Sequence, residues 1–90
     1  MGTQYALIDD NSGYLWWTGT ADSPEQACSH ASLETGGLVA RYERTHENTS
    51  AAGYHVYEIE GDWSDADGQS QAWIDRATAG RFVGRYDPQD

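Results

Sequence analysis

The sequence predicts an α+β domain, a mainly antiparallel five-stranded sheet with two helices on one face, in the order ββαββαβ. Short segments in which apolar and polar residues alternate indicate the strands. Two capped segments that end in glycine indicate the helices. The connections are short, which favours antiparallel neighbours. All 90 residues are assigned to one compact domain with a polar C-terminal tail from about residue 87, because the chain is too short for two cores.

The first two strands form a predicted hairpin. Residues 3–8 and 14–18 are rich in Tyr, Leu, Ile and Trp, which favour extended backbone. Residues 9–13, between them, contain Asp, Asn and Gly, which favour turns and positive φ angles. Neighbouring strand residues point to opposite faces, so only one of Trp16 and Trp17 is expected beneath the helices. The other is expected on the open face of the sheet.

The first helix has a well-marked beginning. Ser23 can cap it and Pro24 suits its first helical position. Gln26 can complete a capping box with Ser23. We expect this helix to run to about Glu34 and to stop at the two glycines that follow at positions 36 and 37.

Three further strands and one further helix complete the predicted order. The strands are residues 38–44, 54–60 and 81–86, and a polar loop, residues 45–52, joins the first two of them. The helix has Ser64 as its predicted cap and Gly80 at its end. The residues predicted on its buried face are Ala66, Ser70, Trp73, Ile74 and Ala77.

The charge of the chain excludes several classes of partner. It has 15 acidic and 5 basic residues, all of the latter Arg, and a formal net charge of −10. Direct binding to nucleic acid or to an anionic membrane needs Lys or Arg patches, so neither is expected. No segment approaches the roughly 20 apolar residues of a membrane span, and we expect a cytoplasmic protein of a bacterial host cell.

No sequence motif indicates catalysis or a metal. The acidic residues of segment 62–68 resemble a calcium loop, but Trp63 would occupy its first ligand position and Ile74 its twelfth. The three histidines, His30, His46 and His55, lack metal-site spacing, and Cys28 is expected to pack in the core. We therefore expect no enzyme, no cofactor and no metal.

A run of acidic residues is the most informative feature. No basic residue occurs between Arg44 and Arg76. Glu58 and Glu60, two apart on a predicted strand, would point the same way about 6.6–6.8 Å apart. The candidate row of carboxylates is Glu58, Glu60, Asp62, Asp65 and Asp67. Such a row would attract the basic channels with which other proteins hold DNA or RNA.

A second interpretation of these acids stays open. Asp65 and Asp67 can complement a helix dipole, and the two glutamates can pair across the sheet with Arg41, Arg81 or Arg85. Trp63 and Trp17 are the candidate apolar anchors of an interface, since Trp dominates binding hot spots. Trp63 can instead fold back as a hydrophobic staple for the second helix.

Short length, strong acidity, an α+β pattern, many aromatic residues and no catalytic motif together resemble the small phage-encoded inhibitors of bacterial defence. These are the anti-CRISPR and anti-restriction proteins, several of which mimic DNA. The resemblance is one of composition over the whole chain and carries no motif. It implies a non-enzymatic inhibitor whose partner is a basic nucleic-acid-binding protein complex, a CRISPR effector being favoured. The alternative is a small phage or plasmid accessory or structural protein that forms a homodimer, a larger homo-oligomer or a toxin–antitoxin type of complex.

Overall fold

The computed structural model describes residues 2–9, 12–34, 40–44 and 53–88. Its elements in chain order are β1 Thr3–Asp9, β2 Leu15–Ala21, α1 Pro24–Glu34, β3 Ala40–Arg44, β4 Tyr54–Ile59, α2 Gln71–Thr78 and β5 Arg81–Pro88. The strands form one sheet in the order β2-β1-β4-β5-β3, and all neighbours are antiparallel. The predicted α+β class, with two helices and an antiparallel sheet, is confirmed. β5 runs beyond the predicted start of the polar tail because Pro88 still pairs with Ala40 of β3.

The two helices lie on opposite faces of the sheet, so the prediction that both cover one face is wrong. In β1, Tyr5 and Leu7 pack into the core beneath α1, whereas Ala6 and Ile8 pack into the core beneath α2. A strand that is buried on both faces has a continuous apolar run instead of an alternation, and these four residues form such a run. The expected open face is therefore covered over the central strands.

Each face has its own core. The α1 cluster consists of Tyr5, Leu7, Ala21, Ala27, Cys28, Ala31, Val56 and Tyr86. The α2 cluster consists of Ala6, Ile8, Leu15, Tyr57, Ile59, Trp63, Ile74 and Ala77. The small residues that α1 contributes let its backbone lie close to the sheet.

A β-bulge places both tryptophans of β2 on the same side, against the prediction that they face opposite ways. Leu7 pairs with Trp17 while Ile8 pairs with Leu15, so Trp16 is the extra residue of the bulge. Both indoles pack against the α1 cluster. The Trp16 ring stacks on Tyr54 with a centroid distance of 4.1 Å.

The start of α1 is as predicted. The Gln26 backbone N–H donates to Ser23 Oγ at 3.1 Å, and Gln26 Oε1 accepts a bond from the Asp22 backbone N–H at 2.7 Å. The helix runs to Glu34. The predicted stop at residues 36 and 37, the first two residues of the predicted strand 38–44 and the loop 45–52 lie outside the described residues.

The second helix begins at Gln71, not after Ser64, so the prediction of Ser64 as its cap is wrong. The Gly68 carbonyl accepts a bond from the Leu15 backbone N–H at 2.9 Å, instead of one from the amide four residues on. Residues 63–70 form turns with bonds between residues three apart, from the Ala66 amide to the Trp63 carbonyl and from the Ser70 amide to the Asp67 carbonyl, in place of helical bonds between residues four apart. Of the predicted buried face, Ile74 and Ala77 are buried. The helix ends just before Gly80, where a Cβ would collide with the Glu58 carbonyl oxygen.

Candidate protein-interaction surface

The segment that joins β4 to α2, residues 60–70, carries most of the predicted carboxylates and is called the acidic segment below. Glu60, Asp62, Asp65 and Asp67 are all exposed on it. Its backbone makes turns in place of the predicted helix, with bonds from the Ala66 amide to the Trp63 carbonyl and from the Ser70 amide to the Asp67 carbonyl. The carboxylates are therefore presented by turns.

The acidic segment is fixed to the sheet near both of its ends. Gln4 Nε2 donates to the Gly61 carbonyl at 2.8 Å, and the Leu15 amide donates to the Gly68 carbonyl at 2.9 Å. Leu15 pairs with Ile8, which lies four residues beyond Gln4 in β1, a distance of roughly 13 Å along the strand. The segment thus extends along the α2 side of the sheet and is held at two separated points.

Trp63 holds the middle of the acidic segment against the α2 cluster. The expectation that it is an exposed anchor is wrong. Its side chain is 8% exposed and belongs to the α2 cluster. Its Nε1 donates to the Glu60 carbonyl at 2.9 Å, so the polar atom of the buried indole is satisfied. Its ring packs on Trp73 of α2 with a centroid distance of 5.3 Å. The alternative, in which Trp63 folds back onto the second helix, is the one observed.

Arg76 is a contributor that sequence reasoning missed. Its guanidinium carbon lies 4.6 Å from the centroid of the Trp63 ring and 4.9 Å from that of Trp73. Its Nη1 donates to the Asp62 carbonyl at 3.2 Å. The spacing of Trp73 and Arg76 on one helix is a signal for their contact, since residues three apart are neighbours on a helix. No local signal indicates that Trp63 joins them.

The four carboxylates of the segment divide into two pairs by their surroundings. Asp62 Oδ1 accepts bonds from the Ser64 backbone N–H at 3.0 Å and from Ser64 Oγ at 2.7 Å, and these bonds lower the pKa of the Asp62 carboxyl. Asp67 Oδ1 accepts a bond from the Gln69 backbone N–H at 3.0 Å. Within the described part of the chain, the Glu60 and Asp65 carboxylates have neither a hydrogen bond nor an ion pair. Asp62 and Asp67 thus shape the turns.

Glu58 does not continue the row. It lies on the α1 side of β4, as does Val56 two residues before it. Burial raises the pKa of the Tyr5 hydroxyl, and the negative charge of the nearby Glu58 carboxylate raises it further. Arg81 Nη1 lies 3.8 Å from Glu58 Oε2, which is the cross-strand pairing that the alternative interpretation expected. The expected single row is therefore wrong at its first member.

A groove at this end of the sheet is lined by residues of both charges. It is open, with a volume of about 710 Å³, and its lining includes Glu58, Glu60, Arg76 and Arg81. Arg81 pairs with Glu58 there, whereas Glu60 has no ion pair within the described part of the chain. The exposed negative charge of the acidic segment therefore begins at Glu60 and continues to Asp65 and Asp67.

Trp17 lies away from the acidic segment. It is half-buried on the α1 side, and its ring covers Gly19, where a Cβ would collide with the indole. It lines a shallow groove with His30 and Leu33 of α1. Trp17 and the acidic segment consequently belong to two different surfaces.

Cys28, the single cysteine of the sequence, lies in the core. Cys28 is 1% exposed, and burial, with a smaller effect of Glu25, raises the pKa of its thiol to about 12. The interpretation of Cys28 as a core residue is confirmed. No cluster of three or more His, Cys, Asp or Glu side chains suited to a metal occurs among the described residues. Nor does that part of the chain contain a helix long and apolar enough to cross a membrane.

Comparisons with protein-family models, with curated proteins and with solved structures each find no match to this chain.

Proposed function

We propose that the chain is a non-enzymatic, phage-encoded inhibitor that acts in the bacterial cytoplasm. It binds the basic nucleic-acid-binding surface of a defence complex, with a CRISPR effector as the favoured partner, and blocks DNA recognition. The observation that carries this proposal is the acidic segment, whose carboxylates are exposed on a backbone tied to the sheet at Gly61 and Gly68. The composition of the chain, with a net charge of −10, supports the same class of partner.

The fixed backbone of the segment favours affinity as well as charge recognition. A flexible acidic loop would lose conformational freedom on binding, whereas this segment is already ordered by the buried Trp63 and the two anchoring bonds. Asp65 and Glu60 have no internal partner to give up within the described residues. Their carboxylates can therefore take the positions that phosphates occupy on a basic surface, at little cost to the fold.

The alternative, a homo-oligomeric accessory protein, would assemble through an open face of the sheet. The α2 cluster and the acidic segment cover the central strands on the side where it was expected. The acidic segment offers exposed carboxylates to a partner of the predicted kind. A basic partner is favoured over an acidic one by simple attraction.

The test is binding to a panel of purified CRISPR effectors and restriction enzymes at low and high salt. The double variant Glu60→Lys/Asp65→Lys should weaken binding to the effector by roughly tenfold or more, the equivalent of about 1.4 kcal/mol. The matched control is Asp22→Lys/Glu25→Lys at the start of α1, which makes the same change in net charge on the other side of the sheet. Equal loss in both variants, or binding insensitive to salt, would contradict recognition by the acidic segment.

A further inference from the structure

A notch of about 410 Å³ lies between the β1–β2 turn and the Gly68 end of the acidic segment. Its lining combines the carboxylates of Asp9 and Asp67 with the aromatic side chains of Tyr14 and Trp16. No basic residue lines it within the described ranges. The notch is therefore a negatively charged depression that also presents aromatic surface.

The two sides of the notch are joined by a backbone hydrogen bond. The Leu15 amide, which follows the turn, donates to the Gly68 carbonyl of the acidic segment at 2.9 Å. Beside that bond, Asp67 Oδ1 accepts from the Gln69 amide at 3.0 Å, whereas Asp67 Oδ2 accepts no hydrogen bond from the described residues. The Asp67 carboxylate is thus held in place and keeps one oxygen for a partner.

The turn side of the notch is ordered as well. Ser12 Oγ donates to Asp9 Oδ2 at 3.0 Å and accepts a bond from the Tyr14 amide at 3.2 Å. The Trp16 ring is fixed by its stacking on Tyr54, whereas the Tyr14 side chain is 46% exposed. A ligand that enters the notch consequently meets an accessible aromatic ring beside two positioned carboxylates.

This combination favours a guanidinium over an ammonium. A planar guanidinium can stack on a ring and donate two parallel hydrogen bonds to one carboxylate, which an ammonium cannot do. The other end of the acidic segment already contains a similar arrangement, where the Arg76 guanidinium lies over two tryptophan rings and donates to the Asp62 carbonyl. The notch has rings and carboxylates without an arginine among its described lining residues, so its charge is complementary to an arginine from outside.

We propose that this notch binds an arginine side chain of the basic partner, with the guanidinium against the Tyr14 ring and bonded to the Asp67 carboxylate. The inference rests on the proposed function for the identity of the partner, since proteins that hold nucleic acid present arginine and lysine to the phosphates. It adds a point of geometric recognition to the longer-range attraction of Glu60 and Asp65.

The first test is a titration of the full chain with the blocked tripeptide N-acetyl-Gly-Arg-Gly-amide, followed by NMR. The backbone amide signals of Tyr14, Gly68 and Gln69 and the indole N–H signal of Trp16 should shift and saturate. The same peptide with lysine in place of arginine should bind about threefold more weakly or worse, because it lacks the planar contacts. Absence of shifts at these residues, or equal binding of the two peptides, would overturn the guanidinium site.

Asp67→Asn and Asp62→Asn are a matched pair within the acidic segment. Each removes one negative charge and keeps an oxygen that can accept the same backbone bond, from Gln69 or from Ser64 respectively. Asp67 lines the notch and Asp62 does not. Asp67→Asn should weaken binding of the arginine peptide about three- to fivefold, and Asp62→Asn should change it less than about twofold. Equal losses in the two variants would show that the arginine does not bind in the notch.

The aromatic contact has a separate pair of variants. Tyr14→Leu should weaken binding of the arginine peptide about two- to fivefold, whereas Tyr14→Phe, which keeps the ring, should bind it as the wild type does. A loss of the same size in both variants would contradict stacking of the guanidinium on this ring.

The peptide titration needs no defence complex, so failure of this inference and failure of the proposed function can be distinguished. An effector that binds the wild type and Asp67→Asn equally well would overturn the notch and leave the proposed function in place. Saturable binding of the arginine peptide at the notch, together with no partner on the panel of effectors, would support the guanidinium site and contradict the proposed function.

Discussion

Arg76 joins the acidic segment to α2 through one side chain. Its guanidinium lies over the rings of Trp63 and Trp73 and donates to the Asp62 carbonyl. Stacking on two rings and one hydrogen bond act together there, and each contributes on its own even at an exposed site. By contrast, the Arg81 guanidinium meets the Glu58 carboxylate at 3.8 Å with its own side chain 71% exposed, a geometry that stabilises little.

The two arginines therefore make a matched pair for a test of stability. Arg76→Ala should lower the free energy of unfolding by about 1–2 kcal/mol, because it removes both ring contacts and the bond to Asp62. Arg81→Ala should change it by no more than about 0.5 kcal/mol. Urea unfolding followed by tryptophan fluorescence measures both values. A similar loss in the two variants would show that Arg76 does not hold the segment.

At the scale of single residues, sequence reasoning predicted exposure and charge better than partners. Asp62, Asp65 and Asp67 are exposed as a polar run requires, and Cys28 is buried as a small apolar residue on a helix usually is. The burial of Trp63 depends on contacts with Trp73 and Arg76, which lie ten and thirteen residues away. The local sequence pattern cannot distinguish a tryptophan exposed at an interface from one buried in a core.

The two helices begin at serines that differ in what their side chains do. Ser23 Oγ accepts a bond from the Gln26 amide, which satisfies one of the free N–H groups at the start of α1. Ser70, the N-cap of α2, makes no capping bond with its side chain. The α2 start depends instead on packing of Ile74 and Ala77 into the α2 cluster.

This difference gives a prediction for the helix caps. Ser23→Ala should cost about 1 kcal/mol of unfolding free energy, because the Gln26 amide loses its acceptor. Ser70→Ala should be close to neutral, within about 0.5 kcal/mol. Thermal unfolding followed by circular dichroism measures both substitutions. If Ser70→Ala proved the more costly, the capping geometry described for α1 and α2 would be wrong.

At the scale of elements, the start of α1 could be predicted from the local sequence and the start of α2 could not. Ser23, Pro24 and Gln26 all favour the same helix start, and the bonds of Ser23 and Gln26 join residues no more than four apart. The local sequence makes Ser64 and Ser70 comparable N-cap candidates for α2. The bond between Leu15 and Gly68, which are far apart in sequence, favours a helix that begins after Ser70. The bulge at Trp16 is also set by pairing with β1. The apolar run of Tyr5 to Ile8, however, does indicate a strand covered on both faces.

For the whole molecule, the net charge of −10 has opposite consequences for folding and for binding. Like charges repel each other more in the compact state than in the unfolded chain, so added salt should stabilise the fold. The same salt should weaken any complex that depends on attraction between the acidic segment and a basic partner. Glu60 and Asp65 are where these two effects meet, because their carboxylates have no ion pair or hydrogen bond within the described part of the chain.

The neutral double variant Glu60→Gln/Asp65→Asn separates the two consequences. It should raise the free energy of unfolding at low salt by up to about 0.5 kcal/mol, since it removes repulsion and breaks no contact. The gain should shrink at high salt, where charges further apart than a few ångströms no longer interact appreciably. Chemical unfolding of the variant and the wild type at both salt concentrations measures this. A loss of stability at low salt would mean that these carboxylates stabilise the fold. It would contradict the inference that they can bind a partner at little cost to the fold.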